Sequence, residues 1–527
     1  MRFFNTAGPI KPEDHYCLNP SERINLEEIL FLIEQKKYFI LHAPRQTGKT
    51  SSLLALMAYL NKQDTYKCLY INIEGAQAAR ENVQQGMNAI IQELASRAKI
   101  YLHDDFLEKN KPNLLNESSY ISALNQALTM WCDTLSKPLV LLIDEIDALI
   151  GDTLISVLRQ IRSGYDKRPD HFPQSVILCG VRDIRDYRIH SDKEKTIITG
   201  GSAFNIKAKS LRLGNFIQSE VEYLLNEHTK ETGQKFDTNA TNLIWNYTQG
   251  QPWLVNALAY EVCFECKESR NRKQVITEDK VIQAKENLIL RRETHLDQLA
   301  DKLIEDRVRN VIEPMMQGIY IDKINPDDIQ YVMDLGLIHK ENSELKISNP
   351  IYQEVIPREL TTITQYNLAS KIKPTWYIAS DGKLDMPKLL EAFQDFFREH
   401  SEHWVERFQY KEAGPHLLLQ AFLQRVINSG GRIEREYGLG RGRTDLLIIW
   451  NYSQRVQKEV IELKILYSNL EKTISEGLKQ IDKYLDRCAQ KQGHLVIFDR
   501  RESITWDEKI FCQQKMVNNK TITVWGM

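Results

Sequence analysis

The 527-residue chain has no excess of charge of either sign: 69 Lys and Arg stand against 71 Asp and Glu, a formal net charge of −2. Bulk attraction to nucleic acid or to an acidic membrane surface is thereby excluded, and any such partner has to be held by a local patch. Long apolar runs are missing as well. The longest, such as residues 139–143, fall far short of the roughly 20 residues that span a bilayer, and the opening MRFFNTAGPIKPEDHYC lacks the apolar stretch of a signal peptide. A cytoplasmic protein, neither exported nor inserted in a membrane, is the expectation. Cysteine is sparse, eight in the whole chain, which fits reduced thiols in the cytosol rather than a disulfide framework. Cys263 and Cys266 form a CxxC, but they stand in NALAYEVCFECKE, which reads as helix, and no second pair is near enough to complete a zinc site. Two helical core cysteines are expected there. Internal repeats and low-complexity tracts are also absent.

What is present is ordinary globular composition, 42% hydrophobic and 27% charged, in a chain too long for one core. The first half alternates apolar runs with amphipathic stretches. Helices are expected at 26–34, 48–60, 82–98, 120–135 and 153–165, and strands at 38–42, 68–73, 139–143 and 176–181. That alternation predicts an α/β fold with a parallel sheet covered on both faces. Beyond residue 213 helical patterns dominate, as in SEVEYLLNEHTKETG. Between 307 and 360 two helical stretches precede LGLIHKENSELKISNP, which resembles the wing of a winged-helix module. The expected domains are 1–212, an α/β core; 213–360, a helical lid with the winged-helix-like module; 361–385, a Thr-, Ser- and Pro-containing linker; and 386–527, a second α/β domain.

Residues 43–50, APRQTGKT, follow an expected strand and open an expected helix, the context that a phosphate-binding loop requires. The first position is Ala43 where Gly is usual, while Gly48, Lys49 and Thr50 are in place. Main-chain N–H groups from Thr47 to Ser51 would converge on phosphates at the positive end of the helix. Ala43, Arg45, Thr47, Gly48, Lys49, Thr50 and Ser51 are the candidate nucleotide contacts, with Lys49 neutralising the β and γ phosphates and Thr50 ligating Mg²⁺. A second expected strand, LVLLI, runs into Asp144-Glu145-Ile146-Asp147, carboxylates at the end where parallel strands deliver ligands. Asp144 would hold Mg²⁺ through water, and Glu145 would orient and deprotonate the water that attacks the γ-phosphate.

An extra strand between the phosphate loop helix and LVLLIDEID resembles the sheet of additional-strand ATPases. Arg182, just past the strand in VILCGVRD, resembles the sensor-1 arginine of AAA-like signalling ATPases; a surface arginine paired with Asp183 or Asp186 is the alternative. Gly250-Gln251-Pro252 resembles the GxP that opens a lid helix in archaeal-ATPase and STAND-like proteins, although Gly ending one helix and Pro starting the next explains it equally well. Over residues 15–265 the chain therefore resembles the AAA-like domain of bacterial ATPases, carried by APRQTGKT, LVLLIDEID, CGVRD and GQP. The resemblance implies ATP binding with Mg²⁺, hydrolysis, and a lid whose motion follows the nucleotide. A ring or dimer of identical chains would follow from an arginine finger, a part to which no residue is assigned.

A separate constellation begins at Gly440: GRGRTDLLIIW, a polar turn, then EVIELKIL. Two strands joined by a turn are expected, with Asp445 opening the first. Glu462 and Lys464 share one face of the second, and Ile461, Leu463 and Ile465 point into the core. Two carboxylates and a lysine at one end of a hairpin can hold Mg²⁺ and stabilise charge on a phosphodiester. Asp445 followed by Glu462-x-Lys464 resembles the PD-(D/E)xK nuclease superfamily. Gly438, Gly440 and Gly442 allow close backbone approach, and Gln480 with Tyr484 form the QxxxY of RecB-like members. Gln420 stands about where many relatives carry a metal-binding Glu, which departs from the pattern. Arg432, Arg435, Arg441 and Arg443 could meet phosphates, or be neutralised by Glu434 and Glu436. Trp450 and Trp506 lie in apolar patterns and read as core.

These motifs leave two functional readings. One is an ATP-dependent protein carrying a metal-dependent DNA or RNA nuclease. The other is a STAND-like switch, with ATP as conformational ligand and an inactive nuclease-like domain as a binding module.

Overall fold

The computed structural model describes the chain apart from residues 118–119, 184–187, 192–195, 200–203, 292–293, 318–323, 343, 361–376, 408–418, 420–421, 424–430, 438–443, 453–454, 489 and 502–503. It divides into two compact units. The first comprises Met1–His295, Gln330–Lys340 and Ile347–Ile351, and the second Leu296–Ile329, Glu341–Lys346 and Tyr352–Met527.

In the first unit β1 (Tyr38–His42), β2 (Lys67–Asn72), β3 (Leu139–Asp144), β4 (Ser175–Gly180) and β5 (Lys207–Arg212) form a wholly parallel sheet in the order β2-β3-β4-β1-β5. The apolar runs are continuous because both faces are covered. On one face Phe39, Leu41, Val140, Leu142 and Ile177 pack with α1 (Leu26–Glu34) and α2 (Lys49–Gln63). On the other, Ile40, Leu69, Leu141, Ile143 and Leu178 pack with α3 (Val83–Leu102), α4 (Phe106–Glu117), α5 (Ala123–Cys132) and α6 (Gly151–Ser163). The expected strands lie within a residue or so of their places. The sequence pattern did not announce β5 or α4: KAKSLR is polar because β5 is an edge strand with partly and fully exposed positions, and α4 is mostly polar with Pro112 inside it.

Helices α7 (Gln218–Thr232), α8 (Thr238–Thr248), α9 (Pro252–Tyr260) and α10 (Glu278–Leu290) enclose a second core, including Leu224, Ile244, Val255 and Leu258. Phe4 and Tyr16, from a pair of two-residue parallel strands near the N-terminus, are buried in it. The GQP stretch is helix punctuation: Gln249 (φ 46°) and Gly250 (φ 69°) leave α8 in left-handed conformations, Gln251 caps α9 by accepting from Leu254 N at 2.6 Å, and Pro252 opens the first turn. Cys263 is buried in this core, whereas Cys266 follows the helix end and is partly exposed.

Along the chain next come α11 (Thr294–Leu303), α12 (Asp306–Gln317), α13 (Pro326–Asp334), the strands β6 (Ile338–Glu341) and β7 (Glu344–Ile347), and α14 (Pro350–Leu360). The second unit holds α15 (Met386–Arg407), α16 (Leu470–Arg487) and a six-stranded sheet. Its strands β8 (Gly431–Tyr437), β9 (Thr444–Tyr452), β10 (Arg455–Leu466), β11 (Gln492–Asp499), β12 (Phe511–Val517) and β13 (Lys520–Gly526) are ordered β8-β9-β10-β11-β13-β12. β8, β9 and β10 are antiparallel neighbours; α16 then crosses over so that β11 runs parallel to β10. One face carries Leu389, Phe393, Ile448, Ile461 and Leu463, and the other Val460, Leu466, Ile481, Tyr484 and Leu485. Trp450 is core and donates to Gly382 O at 2.9 Å; Trp506 packs at its margin. Ile465 is only partly buried. Of the expected linker, 361–376 lie outside the described residues, and the rest folds with the sheet, Tyr377 and Leu384 being buried beside Leu389 and Ile448.

Among the described residues no helix is long and apolar enough to cross a membrane. A Cβ on Gly250 would lie 2.0 Å from Phe216 O, whereas one on Gly233 (φ 76°) meets nothing within 4 Å. Gly233→Ala should therefore cost about 1 kcal/mol, the left-handed strain alone, and Gly250→Ala at least about 3 kcal/mol. Urea denaturation of the two variants measures the difference, and equal losses would contradict the close backbone approach.

Candidate functional site

The sheet delivers the first cluster. β1 ends at His42, and the next residue, Ala43, is fully buried with its N–H donating to Gly180 O at 3.2 Å, so the loop is tied to the end of β4. Gly48 turns the chain into α2 with φ 92°, a conformation that favours glycine. The helix start carries no side-chain cap and no acidic residue, which leaves its N–H groups and positive end available to an anion. Lys49 is buried, and its Nζ donates to the carbonyls of Ala43 and Pro44, each at 3.0 Å. Thr47 Oγ1 donates to Pro44 O at 2.8 Å, Ser51 Oγ accepts from Ile10 N at 3.0 Å, and Arg45 is exposed.

Asp144, fully buried at the end of β3, faces this loop. Its Oδ2 accepts from Thr50 Oγ1 at 2.7 Å and from Tyr70 Oη at 3.0 Å, and its Oδ1 accepts from Glu145 N at 3.0 Å. A hydroxyl hydrogen-bonded to a carboxyl group is an all-oxygen donor pair of the kind that Mg²⁺ takes, so these residues fit the metal. Tyr70, on β2, is a contact that sequence reading missed, because an aromatic in an apolar strand reads as core. Glu145 follows in a left-handed conformation (φ 58°). Its carboxyl is raised above the usual range, first by burial and then by Asp147 and Asp144 nearby. Asp147 Oδ1 accepts from Val181 N at 3.1 Å, which fixes the ends of β3 and β4 together.

Of the two aspartates that the sequence offers as partners for Arg182, which lies beyond β4, Asp183 is held by Lys207 at 2.6 Å and Asp186 lies outside the described residues. Arg182 Nε lies 3.5 Å from Asp334 Oδ2, and its guanidinium sits 4.8 Å from the centre of the Tyr331 ring. Arg212 Nη2 donates to Met333 O at 3.1 Å. Two arginines from the sheet thus grip the segment that leads to Gly336, where a Cβ would come within 2.6 Å of Pro44 Cγ in the phosphate loop.

Beside the loop opens a cleft of about 690 Å³, counting its mouth, formed by the segment Asn5–Pro20, the start of α2, Phe216 and α9. Arg23 borders it, donating to Thr47 O at 2.6 Å and stacking on Phe216 at 4.5 Å; burial lowers its pKa to about 10. The part played by the N-terminal segment was not legible, since it has neither motif nor periodicity.

The second cluster lies on the α16 side of the C-terminal sheet. Glu462 and Lys464 share that face, with side chains 2% and 3% exposed, and form an ion pair. Tyr484 of α16 covers the same face. The main chain of Asp445 precedes Leu446, whose register partner is Ile461, next to Glu462. Gln420, Gly438, Gly440, Gly442, Arg441 and Arg443 lie outside the described residues, and the backbone of Arg432, Glu434, Arg435 and Glu436 runs along β8, with Glu436 opposite Asp445. Among the described residues no group of three His, Cys, Asp or Glu is placed to hold a metal.

A family model described as an AAA-like domain matches residues 21–357. No curated protein is significantly similar in sequence. Among solved structures, the chain is similar to the Walker-type ATPase paby2304 of Pyrococcus abyssi (17% identity, 67% of this chain and 99% of that one, TM-score 0.45). It is also similar to Cdc6p from Pyrobaculum aerophilum (15%, 66% and 95%, TM-score 0.35) and to the RuvB Holliday junction branch migration motor of Thermotoga maritima (14%, 64% and 96%, TM-score 0.33). Likenesses at these scores carry no function across.

Burial, with Asp147 and Asp144 nearby, raises the pKa of Glu145 on folding. The folded chain binds this proton more tightly than the unfolded chain, so the contribution favours folding below the unfolded pKa and is lost as pH rises through the folded one. At neutral pH the charged carboxylate opposes folding. Glu145→Gln should therefore raise the thermal midpoint of nucleotide-free protein at about pH 7.5, with the gain shrinking towards about pH 5. A midpoint that falls at neutral pH would contradict the assignment.

Proposed function

This chain belongs to the AAA-like domain family, and we propose that it binds ATP with Mg²⁺ at Lys49, Thr50 and Asp144, hydrolyses it with Glu145 as the base, and couples the nucleotide to a C-terminal metal-dependent nuclease. The observation that carries the first part is the 2.7 Å hydrogen bond from Thr50 to Asp144, which joins the phosphate loop to the carboxylate end of β3. Lys49 Nζ, now on the loop's own carbonyls, is positioned to exchange them for phosphate oxygens. Thr50 and Asp144 would hold Mg²⁺, which when bound neutralises charge on the phosphates. Glu145, with its affinity for a proton increased by burial, can take one from an attacking water. Arg182, as a sensor of the γ-phosphate, would have to leave or share Asp334.

The nuclease reading is supported by the succession of three antiparallel strands, a crossover helix and a parallel strand, and by Glu462 and Lys464 meeting under Tyr484. Asp445, Glu462 and Lys464 are the proposed catalytic set, with Asp445 and Glu462 as metal ligands and DNA or RNA phosphodiesters as substrate. The helices α12 and α13 followed by the β6–β7 pair are the kinds of element that a winged-helix module contains. A second reading has its own support: Glu462 and Lys464 are almost wholly buried and form an ion pair with each other, as in a domain retained for binding under a STAND-like ATP switch.

Incubating the full chain with single- and double-stranded DNA and RNA, Mg²⁺ or Mn²⁺, and with or without ATP separates them. The nuclease reading expects cleavage that Asp445→Ala lowers by at least about 100-fold, and that responds to ATP only while Lys49 is present. ATP hydrolysis should fall by a similar factor in Glu145→Gln. Nucleotide binding without cleavage of any substrate would leave the switch.

A further inference from the structure

Strand register places a second hydroxyl on Asp144. β2 and β3 run parallel with Asn72 opposite Asp144 and Tyr70 opposite Leu142, so Tyr70 and Asp144 stand on one face, two residues or about 6.6 Å apart along the strands. A phenol is long enough to cover that span, and Tyr70 Oη donates to Asp144 Oδ2 at 3.0 Å. The ring is buried in the same core as Leu142. Arg97 of α3, itself paired with Glu93 at 2.7 Å, holds its guanidinium 5.8 Å from the ring centre. Packing thus fixes the ring, and the hydroxyl goes where the ring puts it.

The two oxygens of Asp144 are therefore not equivalent. Oδ2 accepts from both Tyr70 and Thr50, which between them use its lone pairs, whereas Oδ1 accepts from the main chain of Glu145. A hydroxyl has lone pairs besides its proton, so Thr50 can ligate a metal and still donate to Oδ2. Mg²⁺ demands near-octahedral geometry, keeps several waters and is content with one carboxylate oxygen; Ca²⁺ takes roughly six to eight oxygens in flexible geometry and readily uses both oxygens of one carboxylate. Given the metal-nucleotide reading above, on which this step rests, we infer that Tyr70 is a positioning residue that selects Mg²⁺ over Ca²⁺: by filling Oδ2 it denies the larger cation the second oxygen. Without the phenol, Oδ2 regains a lone pair and the carboxylate can turn to chelate.

Displacement of Mn²⁺ by Mg²⁺ or by Ca²⁺, followed by electron paramagnetic resonance of the full chain with a non-hydrolysable ATP analogue, tests the assignment in the wild type and in Tyr70→Phe, which keeps the ring. The analogue's own preference among metals is common to both proteins and drops out of the comparison. In the wild type Mg²⁺ should displace Mn²⁺ at about tenfold lower concentration than Ca²⁺ does. In Tyr70→Phe, Mn²⁺ itself should bind about tenfold more weakly, and the gap between Mg²⁺ and Ca²⁺ should close to within about twofold. Binding of the analogue without metal should be unchanged, as the sign that the loop is intact. A hydroxyl that only supports the fold would weaken all three metals together, so a gap of the same size in the variant overturns the inference. Equal competition by Mg²⁺ and Ca²⁺ in the wild type overturns it too, as does loss of metal-free analogue binding in Tyr70→Phe. A wild type that binds the analogue but no Mn²⁺ overturns the reading of Thr50 and Asp144 as metal ligands, and this inference with it.

Discussion

The hydrogen bond between Thr50 and Asp144 joins two segments 94 residues apart in sequence, and the site is arranged around it. Thr50 is placed by α2, which the left-handed Gly48 allows to start immediately after the loop. Asp144 is placed by β3, where every residue is buried and the last is the only charged one. A carboxylate at that depth needs partners, and here they are the Thr50 hydroxyl, the Tyr70 hydroxyl and the main chain of Glu145. The same requirement makes the pair receptive to a divalent cation, which supplies what a buried carboxylate lacks.

Around this pair the first unit gathers elements from far along the chain. The N-terminal segment reaches Ser51 through Ile10 and closes one side of the cleft. Arg23 holds the loop carbonyl of Thr47 and stacks on Phe216 at the entry to α7. Arg182 and Arg212, at the ends of β4 and β5, hold the segment that brings Gly336 against Pro44. Three separate stretches of the first unit thus converge on the phosphate loop and its immediate neighbours.

Some of this was legible in the sequence, for definite reasons. Strands covered on both faces are uninterrupted apolar runs, so YFILH and LVLLI announced themselves, and their ends located APRQTGKT and Asp144. Strand β5 did not, because a partly exposed edge strand has no apolar run, and KAKSLR reads as loop. β8, GRIEREY, is hidden by its charges in the same way. The cleft was invisible because it depends on a tertiary contact of the N-terminal segment, and Tyr70 because its hydroxyl matters only once Asp144 is opposite. The pairing of Glu462 with Lys464 was legible from strand alternation, whereas their burial under α16 was not.

Thr50 and Asp144 together would hold the metal of a bound nucleotide. Electron paramagnetic resonance of Mn²⁺ titrated into the full chain with a non-hydrolysable ATP analogue tests it directly. One tightly bound Mn²⁺ per chain is expected in the wild type, with binding weakened at least about tenfold in Thr50→Val while the analogue still binds through Lys49. Undiminished Mn²⁺ binding in Thr50→Val and Asp144→Asn would contradict the account.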